Sequence, residues 1–271
     1  MDNIEIKFNI GKLPISFHLS RTFYSKIKQI FESFVCKIFD FWFKSDMNKT
    51  ILLLEFDPST YGDLLTELSK YKKNILIYNR RKPAIWNMSS IKTLHKTKSK
   101  LFNFKKLEFQ FKKQISSLTN NYLNELEKVW QNKDIENFFQ IESSSFWYCI
   151  KDELLNVYRR RLSEYISLLL ISKNLLEKID VSCILSSNLV GETEKSVLSM
   201  NNQKIHSIML EHGYSNYVPE ISRYDILSMY SLVNDKIATW GETQKKYLVE
   251  HKKFDNNRIL VVGSPKHDQL F

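Results

Sequence analysis

The residues best suited to chemistry lie in the last third of the chain. His212 stands directly before Gly213 in the run Leu210-Glu211-His212-Gly213. An imidazole titrates near neutral pH, so His212 can act as a general base or donate a hydrogen bond to a ligand oxygen, and Gly213 opens the space around it. The competing use is a structural histidine bonded to a neighbouring carbonyl. Glu211 could orient the ring, although adjacent residues on a strand point to opposite faces. Downstream, Glu220 could take a proton from a hydroxyl and Arg223 could hold an anionic group in its fork. Asn188 and Glu192, close to Gly191, could contact a ligand or serve as turn and helix cap. Gly263 and Ser264 offer backbone amides to an anion, or a plain hinge. No His or Cys residues fall at metal-ligand spacing, so no metal is predicted. Cys36, Cys149 and Cys183 are far apart in apolar surroundings and are predicted to be buried free thiols.

These residues sit at the ends of short apolar runs. Gly191, Gly213, Gly241 and Gly263 follow at spacings of 22, 28 and 22. Beside them lie Val181 to Leu185, Ile205 to Leu210, Lys236 to Trp240 and Ile259 to Val262, each read as a strand. Glu192 to Met200 and Glu242 to His251 have helical spacing between them. Strand-helix alternation of this kind predicts an α/β fold, a Rossmann-like parallel sheet with flanking helices and its ligand face at the strands' carboxyl ends. Upstream, Ile51 to Phe56, Tyr61 to Tyr71 and Asn74 to Tyr78 read as a further β-α-β start, with Ser59 or Thr60 as helix cap after Pro58. Lys105 to Gln131 and Phe146 to Ile179 carry apolar stripes near a 3.6-residue period and read as two long helices that pack together. Residues 1–49 read as an aromatic and basic helical segment, from Phe31 to Phe43 suited either to a membrane interface or to packing on the domain. The predicted organisation is therefore that segment, a domain over 50–262 with a helical insertion at about 105–179, and a connection over 263–271.

The net charge of +10 concentrates in one place: Tyr71 to Lys113 holds thirteen Lys/Arg and one acid, Glu108. That stretch suits a polyanionic or lipid-diphosphate ligand or an acidic membrane, or is simply a solvated loop. No nucleic-acid module accompanies it, so no nucleic-acid partner is predicted. The apolar runs fall short of the roughly 20 residues that span a bilayer, and the N-terminus has no signal-peptide architecture. A cytoplasmic protein, at most at the inner face of the membrane, is the expectation.

From Ile205 the chain reads IHSIMLEHGYSNYVPEISRYD, then DKIATWGETQKKYL, then RILVVGSPKHDQL. The order of a strand ending in His-Gly, a strand from Asp-Lys to Trp-Gly, and a strand leading to Gly-x-Pro resembles bacterial and archaeal surface-polysaccharide glycosyltransferases of the GT-B type. The resemblance covers roughly Val181 to Phe271. It is similar also to the sugar-nucleotide 2-epimerases, through Pro219, Glu220 and Arg223, but Ile221 stands where that family carries a second acid.

The resemblance implies the N-terminal, acceptor-side half of a GT-B transferase. Its donor would be a nucleotide sugar, its acceptor a glycan or lipid-linked hydroxyl, with no metal and no other cofactor. His212 and Glu220 would be the catalytic groups. Glu211, Gly213, Arg223, Asn188 and Glu192 would line the substrate site, and Gly263 and Ser264 would touch the donor diphosphate. A donor-binding domain is expected after Phe271, so the chain alone is expected to be inactive. A non-catalytic module holding a polyanion or membrane, and a 2-epimerase, are the alternatives.

Overall fold

The computed structural model describes residues 3–11, 13–42, 49–71, 73–187, 191–211 and 234–264. The chain divides into two compact units, one formed by residues 1–103 and 178–271, the other by 104–177.

Among the described residues the first unit is built on one sheet of seven strands: β3 (Thr50–Leu54), β4 (Asn74–Tyr78), β5 (Lys100–Leu101), β8 (Val181–Ser186), β9 (Ser207–Leu210), β10 (Lys236–Thr239) and β11 (Ile259–Val261). Their order across the sheet is β11-β10-β9-β8-β3-β4-β5, and every neighbouring pair is parallel. The chain starts at the centre with β3, moves outward through β4 and β5, then returns to the other side of β3 with β8 and moves outward again. This is a Rossmann-like α/β sheet whose direction of winding reverses between β3 and β8. Parallel strands buried on both faces need unbroken apolar runs, which is why Leu52, Leu53 and Leu54 can succeed one another with no exposed surface.

On one face Ile51, Leu53, Ile75, Ile77, Leu101, Leu185 and Ala238 join Leu65 of α2 (Gly62–Ser69), Leu94 of α3 (Met88–Thr97) and Val35 and Cys36 of α1 (Arg21–Trp42) in one core. The cap expected from Ser59 or Thr60 is not formed, because both hydroxyls turn back to the Asp57 carboxylate, at 2.7 and 3.2 Å. Tyr61 occupies the N-cap position without a side-chain bond. The N-terminal segment is not helical throughout: among its described residues Asn3–Ile10 (β1) and Leu13–Ser20 (β2) form an antiparallel hairpin, and Arg21–Trp42 is helix. Of the three cysteines only Cys36 is buried; Cys183 is half-buried and Cys149 is exposed, which corrects the expectation of three buried thiols.

The second unit contains α4 (Phe104–Val129), α5 (Lys133–Phe138), a two-residue ladder between β6 (Gln140–Ile141) and β7 (Ser144–Ser145), and most of α6 (Trp147–Lys178). The long helices run antiparallel: Arg159 reaches Glu127 at 2.9 Å, while Ser167 reaches Glu108 at 3.1 Å. Their turn is filled by Trp130 against Trp147 and Tyr158, ring centroids 5.7 and 5.4 Å apart in edge-to-face geometry.

Candidate functional site

In an open parallel sheet the ligand crevice forms beyond the carboxyl ends of the strands where the winding reverses. Here that place is the end of β3 and β8, and charged residues are gathered on it. Glu55, the first residue past β3, has a φ of +59°, a left-handed conformation unusual for a side chain of this kind. Its amide still donates to Tyr78 O at 3.0 Å. One oxygen of its carboxylate accepts from Arg80 N at 2.9 Å, Arg81 N at 3.1 Å and the Thr193 hydroxyl at 2.7 Å. Glu55 thus ties the end of β3 to the loop after β4 and to the start of α7 (Glu192–Ser199). Those bonds offset the left-handed backbone, which costs of order 1–3 kcal/mol.

Arg81 bridges the two acids. Its Nη2 donates to Glu194 Oε1 at 2.5 Å and its Nε lies 3.9 Å from Glu55 Oε1. Glu194 has no exposed side-chain surface, against 39% for Arg81. Burial pushes the Glu194 carboxyl up to about 7, with Glu55 adding to the rise and Arg81 opposing it. A carboxyl at that value exchanges its proton near neutral pH. Gly191 precedes the helix, and a β-carbon there would meet the Glu194 carboxylate and lie 2.5 Å from Arg81 Cζ, so the absent side chain is what lets the pair close.

Buried polar atoms normally find partners. Three around this reversal point have none among the described residues: Asn79 Oδ1 after β4, Ser186 Oγ at the end of β8, and Glu194 Oε2. All three are buried at the carboxyl ends of neighbouring strands or at the start of the helix that follows. Among the described residues no three His, Cys, Asp or Glu side chains group as a metal site would need.

The residues expected from the sequence are distributed along the same edge. Glu192 opens α7 directly after its N-cap, Gly191, two residues before the buried Glu194. Glu211 follows β9, is 5% exposed, and its amide donates to Ala238 O at 3.0 Å. The Trp240 indole donates to Glu211 O at 2.8 Å, so the Trp-Gly pair fixes the exit of the neighbouring strand. At the opposite edge Asp235 accepts from Ser207 N at 2.8 Å and Lys236 donates to Asn257 O at 2.6 Å, which makes the Asp-Lys pair a strand clamp. Gly263 has a φ of +79°, the turn only glycine makes readily, and with Ser264 it follows edge strand β11. Three strand spacings, roughly 14 Å, separate β11 from β8. Glu192 and Glu211 are therefore brought to neighbouring strands, and Gly263 and Ser264 stand apart from them. Asn188, His212, Gly213, Glu220 and Arg223 lie outside the described residues.

No family model matches the chain, and no curated protein does. Among solved structures it is similar to the UDP-GlcNAc 2-epimerase from Neisseria meningitidis bound to UDP-GlcNAc, at 13% identity and a TM-score of 0.44, covering 82% of this chain and 48% of that one. The chain spans about half the length of that protein.

Glu55, Arg81 and Glu194 were not singled out from the sequence. A signal for them existed: a charge follows β3 at once, Arg80 and Arg81 come two and three residues after β4, and Thr193-Glu194 follows the glycine after β8. Reading Arg80 and Arg81 as part of a basic stretch hid it.

Proposed function

We propose that the chain provides the N-terminal, acceptor-side half of a GT-B glycosyltransferase acting in surface-glycan or polysaccharide synthesis. The observation that carries this reading is the gathering of two acids bridged by Arg81, with buried polar atoms beside them, at the reversal point of an all-parallel sheet. The His-Gly, Asp-Lys to Trp-Gly and Gly-Ser-Pro order of the last three strands supports it further. In this reading a hydroxyl of a glycan or lipid-linked acceptor attacks the anomeric carbon of a nucleotide sugar. His212, the residue after Glu211, takes the hydroxyl proton, and the nucleoside diphosphate leaves with the bonding pair. Glu220 and Arg223 contact acceptor and anion. Arg81 stays paired with Glu194 and keeps the edge in shape while Glu194 buffers a proton near neutral pH. The donor diphosphate is met by the amides at Gly263 and Ser264 and by the donor-binding domain.

The test is a transfer assay on the full gene product with UDP-, GDP-, CMP- and CDP-sugars and glycan or lipid-linked acceptors. Acceptor-dependent transfer that falls about 10²- to 10⁴-fold in His212→Ala supports the reading. Release of an altered sugar nucleotide without acceptor would make the protein an epimerase. Transfer indifferent to His212→Ala would remove the assigned base, and failure to bind any nucleotide sugar would leave a non-catalytic module.

A further inference from the structure

Helix α1 presents two different faces. One is fastened to the protein: Val35 and Cys36 enter the core, Ala84 N donates to Glu32 at 2.8 Å, Lys28 donates to Trp86 O at 3.1 Å, and Tyr24 stacks on Trp86 with centroids 6.0 Å apart. The other carries Phe23, Ile27, Ile30, Phe31 and Phe34, at 45 to 65% exposure. With about 100° between successive residues, these five share roughly a 100° arc of the helix. Exposed Lys26 and Lys37 border the same arc. Contiguous apolar surface of this kind on a single helix is unusual unless something covers it.

The geometry points to an anionic bilayer surface as the occupant. The apolar arc would enter the headgroup and acyl boundary lying flat, while the lysines beside it meet lipid phosphate. Charge complementarity selects lipid over a second copy of the chain. The protein carries +10, and pairing the arc with itself would bring Lys26 and Lys37 of both copies together. Further basic residues lie on an element joined at both ends to segments that α1 touches. Helix α3 starts just after Trp86, which α1 holds, and leads into β5, which packs on α1. Lys92, Lys96 and Lys98 are exposed along and just beyond α3. Among the described residues no helix is long and apolar enough to cross a membrane, so the contact is a surface one.

The experiment is co-sedimentation of the full chain with phosphatidylcholine vesicles and with vesicles containing 30% phosphatidylglycerol, a composition of about the anionic content that attracts polybasic segments. Binding is expected to the anionic vesicles and to fall with added salt. Phe31→Ser with Phe34→Ser should weaken it at least about tenfold. Lys26→Gln with Lys37→Gln should weaken it roughly thirtyfold, since each basic residue near the surface contributes about fivefold. All four positions are exposed, and unchanged circular dichroism confirms that the variants fold. The inference is overturned if the chain ignores anionic vesicles at low salt. It is overturned equally if binding survives the phenylalanine substitutions, or if sedimentation equilibrium shows a dimer that those substitutions dissociate.

Discussion

Replacing Glu194 by Gln tests whether the buried acid at the reversal point is held at an energetic cost. The side chain is fully buried and its pKa lies at about 7 instead of 4.5. At 1.36 kcal/mol per pH unit, that displacement corresponds to about 3 kcal/mol. The sign follows from proton binding: between the two values the folded state holds a proton that the unfolded state has lost, so stability falls as pH rises. The protein is relieved of the cost below about pH 4.5 and bears all of it once the pH exceeds about 7. About 2.5 kcal/mol of the change falls between pH 5 and pH 8. Gln keeps the shape and a hydrogen-bond acceptor for Arg81 but cannot ionise. Urea unfolding followed by circular dichroism at both pH values should therefore show the variant gaining about 2.5 kcal/mol on the wild type as the pH goes from 5 to 8. Shifts common to other carboxylates cancel in that comparison. A pH-independent difference, or a variant that loses ground at pH 8, would refute the reasoning and make the Arg81–Glu194 pair net stabilising.

Glu32 is lifted to about 7 by burial, against the amide bonds it accepts near Ala84. Glu32→Gln should flatten the remaining decline in stability between pH 5 and pH 8, read by the same titration. Gly191→Ala puts a methyl group against the Arg81 and Glu194 head groups and should cost about 1–3 kcal/mol, visible as a lower urea midpoint. Asp57→Ala removes the acceptor of Ser59 N, the Ser59 hydroxyl and the Thr60 hydroxyl and should cost about 1–2 kcal/mol. Leu53→Ala, at a fully buried position in the sheet, should cost about 2–5 kcal/mol; a smaller loss would mean the core there is not close-packed.

Six strands of the sheet were legible because burial on both faces forces short apolar runs, and the runs at Asn74 and Val181 coincide with β4 and β8 to within a residue; the two-residue β5 is too short to carry such a run and, with α3 before it, lies in the stretch legible only as basic. The long helices were legible through their period. The hairpin over residues 3–20 was overlooked although Ile4, Ile6, Phe8 and Ile10 alternate with polar residues and Gly11 turns at a φ of +63°. The aromatic residues that follow drew the whole segment into one helical reading. The acidic pair was harder for a physical reason. Glu55 and Glu194 meet because β8 returns beside β3 after more than a hundred residues, and a sequence shows where strands end without showing which ends are neighbours. Glu192 was chosen for its place in the turn, whereas the helix, through its 3.6-residue step, turns Glu194 inward to Arg81.

We propose the carboxyl edge around β3, β4, β8 and β9 as the ligand face. Hydrogen–deuterium exchange of the full gene product, with and without UDP-, GDP-, CMP- and CDP-sugars, tests it most directly. Slowed exchange is expected in peptides containing residues 55–57, 79–82, 186–194 and 211–213 with one class of nucleotide sugar. Protection confined to the opposite edge of the sheet, or none with any of the four, would contradict it.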